Sequence, residues 1–114
     1  MPAYRRNFPP VAESDIDELV FRAQVPVIVY VTGARSCIAI AAKREFLHAA
    51  LDMQSRVAIY EVDGPEEKAI VSRLNIKVMP SLLVYISGIE VAVMIGFYGR
   101  DDLLRSLWST IPDS

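Results

Sequence analysis

The pattern of apolar and polar positions predicts alternating helices and strands. Ser14 is a candidate N-cap for a first helix that runs to Phe21, with acidic residues in its first turn. After Pro26, a β-branched run over 27–31 shows no polar alternation, which is typical of a strand covered on both faces. We therefore expect this strand at the centre of a sheet.

A long second helix is predicted from the N-cap Ser36 to about Met53. Its apolar residues recur at helical spacing, so one face should pack on the sheet while the other meets water. The main apolar stripe consists of Ile38, Ala42, Phe46, Ala49 and Met53. Residues 56–62 are then predicted to form a second strand.

The segment that follows this strand has the composition of a helix start. Asp63 can cap, Pro65 suits a first helical turn, and Glu66 completes the spacing of a capping box. These residues predict a third helix that runs to about Leu74.

The last part of the chain predicts a hairpin and a closing helix. The runs 81–86 and 89–95 flank Ser87 and Gly88, which is the spacing of two antiparallel strands joined by a tight turn. A helix from Asp101 carries its apolar residues on one predicted face: Leu103, Leu104, Leu107, Trp108 and Ile111.

The order of these elements, from about Val25 to Ile111, resembles thioredoxin. Residues 26–29 resemble the family's central strand, 75–85 resemble the segment with the family's cis-proline, here Pro80, and 88–91 with Gly96 resemble its final hairpin. The resemblance implies an α/β thioredoxin-like fold with a central mixed sheet of four or five strands and about four helices. The cis-proline would precede the terminal hairpin.

Composition narrows the domain organisation and the classes of function. The 114 residues, 53% apolar and 23% charged, predict one folded domain over 13–114 behind an N-terminal arm over 1–12. A net charge of −2 argues against nucleic acid as a partner. One Cys and one His are too few for a structural zinc site, and no metal or other cofactor is expected. The chain shows neither a signal peptide nor an apolar run long enough for a membrane, so we expect a cytoplasmic protein.

The residues at the expected active site depart from the thioredoxin pattern. In the ungapped register, Ser36 and Ala39 stand where the family has its two cysteines, and Tyr30 stands where it has a buried acid. A tyrosine titrates near pH 10 and cannot accept a proton from a thiol at neutral pH. We therefore expect no dithiol redox activity. A shift of the register could place Cys37 at either cysteine position, and the sequence leaves that register open.

Binding could persist without this chemistry, because partners of thioredoxin folds dock their backbone beside the cis-proline. The resemblance implies a protein-binding or chaperone-like module. Its groove would be lined by Arg35, Ser36, Cys37, Val78, Met79, Pro80, Gly96 and Phe97. The alternative is that Met79 and Phe97 only pack in the interior and that Pro80 serves the fold alone.

Two further hypotheses concern Cys37 and the last strand. If Ser36 caps the second helix, Cys37 lies in its first turn, where the helix dipole and Arg35 would favour a thiolate and a monothiol oxidoreductase activity. The alternative is a small buried side chain without chemistry. The apolar run from Ile89 to Phe97 would form an exposed edge, which predicts a homodimer through this strand.

Overall fold

A computed structural model describes residues 8–33, 37–53, 56–95 and 99–111, with side chains for all of these except 37–39, 51 and 100. The described strands and α-helices, in chain order, are β1 Val27–Thr32, α1 Cys37–Met53, β2 Ala58–Asp63, α2 Lys68–Arg73, β3 Ser81–Ile86, β4 Ile89–Ile95 and α3 Arg100–Thr110. In the described residues the fold is therefore α/β. None of the helices in this part of the chain is long and apolar enough to cross a membrane.

The four strands form one mixed sheet in the order β2-β1-β3-β4. Strand β1 runs parallel to β2 and antiparallel to β3, and β4 runs antiparallel to β3. This arrangement confirms the expected mixed sheet, with the terminal hairpin on one side of β1. Because β1 lies between two strands and is covered on both faces, five of its six side chains are buried, as the unbroken apolar run predicted.

Each face of the sheet carries its own apolar cluster. On one face, α1 and α3 pack against β1 and β3, and the largest fully buried side chain there, Phe46, stacks on Tyr30 with ring centroids 4.5 Å apart. On the other face, the N-terminal segment and α2 cover the same strands with Val11, Ile16, Val20, Ile70 and Leu74. Two separate layers of helix therefore hold the central strands from both sides.

The first predicted helix is present as helical turns, and its predicted N-cap is wrong. A 3₁₀ turn, Glu13–Asp15, is followed by a π-helical segment, Asp17–Phe21, and the N-cap is Ala12 without a side-chain hydrogen bond rather than Ser14. Burial of Ile16 and Val20 and ion pairs from Arg73 to Glu13 and Asp17 fix this segment against α2. Tertiary contacts therefore set its geometry, and local capping does not.

The predicted start of the third helix is also wrong. Residues 64–66 form a turn, and α2 begins only at Lys68, with Glu67 as its N-cap. The Asp63 carboxylate accepts a hydrogen bond from the Glu66 amide (3.3 Å), and the Asp63 carbonyl accepts one from the Glu67 amide (2.8 Å). Asp63 thus stabilises a turn that precedes the helix.

The closing helix buries a narrower face than predicted. Leu103, Leu107 and Ile111 are buried at a spacing of four residues, whereas Trp108 is 40% exposed. The guanidinium of Arg56 lies 4.4 Å from the centre of the Trp108 ring. This cation–π contact gives the indole a partner at the surface, so its position outside the core has a physical reason.

Residues 8–12 of the predicted arm lie against the sheet. Val11 is buried, and Phe8 meets Phe46 edge to face with centroids 5.6 Å apart. Pro10 forms a parallel bridge with Glu61, whose amide donates to the carbonyl of Pro9 (3.0 Å). This part of the arm therefore protects the β2 edge of the sheet.

Candidate functional site

Four chain segments meet at one end of the sheet. Strands β1 and β2 finish side by side, with Thr32 opposite Asp63. Strand β3 begins at the same end, where Ser81 pairs with Val31, and β4 finishes there, where Ile95 pairs with Ser81. The loops that leave or enter the sheet at this end are therefore neighbours. We refer to this end of the sheet as the Pro80 end.

Close approaches between backbones hold these connections together. A Cβ atom on Gly33 would lie 3.1 Å from Cβ of Met79, and one on Gly64 would overlap both Sδ of Met79 and the carbonyl oxygen of Thr32. The Gly64 amide donates to that Thr32 oxygen (3.1 Å). A side chain at Gly64 would displace its neighbours and one at Gly33 would be tightly packed, so the loops after β1 and β2 enclose the Met79 side chain from two sides. The Met79–Pro80 peptide bond is cis.

Four apolar residues lie at this end of the sheet, three just before Ser81 in sequence and one paired with it, and we call them the Pro80 surface: Val78, Met79, Pro80 and Ile95. Val78 is 45% exposed and Ile95 is 47% exposed, whereas Met79 and Pro80 are half-buried. Ile95 is absent from the residues expected at the groove, because its place depends on the β3–β4 register that pairs it with Ser81. The apolar run 89–95 is visible in the sequence, but only its register with β3 shows that Ile95 lies at this end of the sheet.

The other five residues expected at the groove are not among the residues whose side chains the structure describes. Arg35, Ser36, Gly96 and Phe97 fall outside the described residues. Cys37 is the first residue of α1, and its side chain is also outside the description. Of the eight expected groove residues, the structure therefore brings Val78, Met79 and Pro80 together, and a reactive Cys37 stays a prediction.

Tyr30, which the resemblance to thioredoxins would align with a buried acid, is a packing residue. Its side chain is buried against Phe46, and this burial, with a smaller effect from the Glu61 carboxylate, raises its pKa from 10.0 to about 12. Glu61 is held by Lys43, with Nζ and Oε2 2.7 Å apart. Tyr30 is therefore protonated at neutral pH and cannot act as a base there.

Strand β4 exposes much of its apolar side-chain area. Ile89 is 67% exposed, and Val91, Val93 and Ile95 are each 44 to 47% exposed. A β-bulge lies where the register with β3 shifts between Val84 and Tyr85. Bulges and charges such as Glu90 reduce strand pairing at a sheet edge, so the homodimer through this strand stays a prediction.

Comparisons with known proteins do not identify a family for this chain. No model of a known protein family matches the chain, and no curated protein matches it. Within the described residues, no group of three or more His, Cys, Asp or Glu side chains is placed to hold a metal ion.

Proposed function

We propose that this chain is a thioredoxin-like domain that binds a protein partner at the Pro80 surface without dithiol chemistry. The observation that carries the proposal is the convergence of three loops, anchored at Gly33, Gly64 and Met79, beneath an exposed apolar surface. The mixed sheet order, with a parallel β1–β2 pair and a terminal hairpin, supports the thioredoxin-like assignment. A cytoplasmic location stays a prediction.

Protein binding suits the physical character of this surface. Exposed apolar side chains on a rigid frame lose little conformational entropy on binding and gain from removal from water. The packing of Met79 against Gly33 and Gly64 keeps its backbone in place while Val78 and Ile95 remain accessible.

The proposed binding does not depend on a thiol. The chain has one cysteine, so it cannot form an internal disulfide or resolve a mixed disulfide with a second thiol of its own. Tyr30 supplies no base at neutral pH. The monothiol oxidoreductase remains the alternative function, and the Cys37 side chain on which it depends lies outside the described part of the chain.

Affinity capture from the lysate of the native host tests the proposal with matched variants. Val78→Asp places a charge on the Pro80 surface at a position that is 45% exposed, so the fold should tolerate it. Ile89→Asp is the control, because Ile89 is also exposed but pairs with Ile86 at the opposite end of the sheet. We expect a partner that is captured by the wild type, the control and Cys37→Ser but is lost with Val78→Asp. The proposal would be contradicted if the partner were lost with Cys37→Ser but still captured by Val78→Asp.

A further inference from the structure

A second feature of the Pro80 end is a pocket between α2 and the loop that leads to Met79. Its volume is about 430 Å³, which lies in the range of ligand-binding clefts. The lining residues come from the β2–α2 turn, from α2 and from the following loop: Gly64, Pro65, Lys68, Val71, Ser72, Asn75, Ile76, Lys77 and Met79. Met79 belongs both to this pocket and to the Pro80 surface, so the two are adjacent.

The charge in this pocket has one sign. Lys68 and Lys77 both line it, and none of the described residues in its lining is acidic. Both lysines are exposed, and neither forms a hydrogen bond or ion pair within the described part of the chain. Other cations of the chain are paired: Arg22 with Glu18, Arg73 with Asp17, Arg105 with Asp102. Two cations that have no partner among the described residues, beside one cavity, favour an anionic occupant.

The rest of the lining limits what that anion can be. Val71, Ile76 and Met79 contribute apolar side chains, while Ser72 and Asn75 contribute polar ones. An inorganic anion would gain nothing from the apolar part. A carboxylate carried on a chain with apolar neighbours would contact both kinds of residue.

We infer that the pocket receives an acidic segment of the partner polypeptide, in which carboxylate side chains alternate with apolar ones. This inference rests on the proposed function, because the same segment would continue from the Pro80 surface across Met79 into the pocket. The apolar side chains contact Val71, Ile76 and Met79, and the carboxylates contact Lys68 and Lys77. The lysines thereby select acidic partners at a surface that would otherwise be selective only for apolar character.

The test uses the full chain, labelled with ¹⁵N, and two synthetic hexapeptides with blocked ends. One has the order serine, leucine, aspartate, leucine, aspartate, serine, and the other has asparagine in place of aspartate. Amide shifts at Lys68, Asn75 and Lys77 report on the pocket, while those at Val78 and Ser81 report on the Pro80 surface. We expect both groups of amides to shift with the acidic peptide and the asparagine peptide to bind about fivefold more weakly, as two exposed charge pairs allow.

Matched variants separate local charge from net charge. Lys68→Ala/Lys77→Ala should reduce the affinity for the acidic peptide to that for the asparagine peptide. Arg22→Ala/Arg105→Ala removes the same number of positive charges elsewhere on the surface and should leave both affinities unchanged. The preference for the acidic peptide should also disappear between about 0.01 M and about 1 M salt, as the screening length falls from ~30 Å to ~3 Å.

The outcomes distinguish failure of this inference from failure of the proposed function. Equal binding of both peptides, with shifts at Val78 and Ser81, would overturn the acidic selectivity and leave the Pro80 surface intact. Shifts confined to the pocket amides would support the carboxylate site and contradict the proposed function. Binding of neither peptide would overturn the inference. Sodium succinate that shifts the pocket amides with equal affinity would also overturn it, because the ligand would then be a small carboxylate.

Discussion

Strands β1 and β4 are both rich in β-branched apolar residues, yet they differ in how much of that apolar area is buried. β1 has five buried side chains of six, whereas only Met94 is buried among the seven residues of β4. The cause is position, since β1 lies in the interior of the sheet and β4 lies at its edge. Exposed apolar area therefore runs along β4. Ile95, the last residue of β4, extends that exposed area to the Pro80 surface.

The same substitution in the two strands should have very different effects on stability. We expect Ile28→Ala, at a fully buried position in β1, to lower the free energy of unfolding by about 2–5 kcal/mol. Ile89→Ala, at a position that is 67% exposed in β4, should change it by less than about 0.5 kcal/mol. Urea unfolding of both variants measures the contrast. Comparable losses would mean that the edge strand is as tightly packed as the centre.

We expect the next largest loss of stability from a substitution at the glycine contacts of the Pro80 end. Gly64→Ala would place Cβ against Sδ of Met79 and the Thr32 carbonyl oxygen, and the resulting displacement should cost about 1–3 kcal/mol. Gly99→Ala is the control, because its Cβ would meet no atom of the described residues within 4 Å. Thermal unfolding should therefore show a lower midpoint for Gly64→Ala than for Gly99→Ala. Equal midpoints would show that the loops can separate without cost.

Two tyrosines extend the comparison to pH. Burial raises the pKa of both Tyr30 and Tyr85 to about 12, with Glu61 adding to the first shift and Glu90 of β4 adding to the second. Since the unfolded value is 10.0, their protonated forms stabilise the fold below pH 10, and this contribution is lost as the pH rises towards 12. Glu90→Gln should lower the pKa of Tyr85 and leave that of Tyr30 unchanged.

Ultraviolet titration of tyrosinate follows this change, with Tyr30→Phe and Tyr85→Phe to assign the two transitions. The wild type should also lose more stability than Tyr30→Phe between pH 10 and 12. Ionisation of Tyr30 near its usual pKa would show that water reaches the centre of the sheet.

The smallest expected effect concerns self-association. If the exposed residues of β4 pair with a second copy, sedimentation equilibrium should show a weak dimer, and Val93→Lys should make the protein monomeric. The bulge and Glu90 limit the strength of such pairing. A monomer at every concentration would remove β4 from the candidate interfaces.

Periodicity predicted most of the elements, because buried strands and amphipathic helices leave strong local patterns. The interior strand, the long helix α1 and the hairpin all follow directly from such runs. The first helix does not, since ion pairs from Arg73 and burial of Ile16 determine its form from a distance. The late start of α2 was missed for a related reason: Asp63 can stabilise a turn as well as a helix, and the two have the same sequence signature.

The candidate site was less predictable than the fold. Val78, Met79 and Pro80 are adjacent in sequence, so one motif located all three. Ile95 joins them only through the pairing of β4 with β3, which no local pattern encodes. The pocket between α2 and the loop to Met79 was not predicted. Its two lysines, Lys68 on α2 and Lys77 on the following loop, come together only after folding.

The most direct test of the account is the hydrogen-exchange footprint of the captured partner on the full chain. The proposed binding predicts slower exchange at 31–33 and 77–82 on complex formation, with the same footprint in Cys37→Ser. Residues 86–89, at the opposite end of the sheet, should be unaffected. Protection at 86–89 without protection at 77–82, or a footprint that disappears in Cys37→Ser, would contradict the claim that partners bind at the Pro80 surface without a thiol.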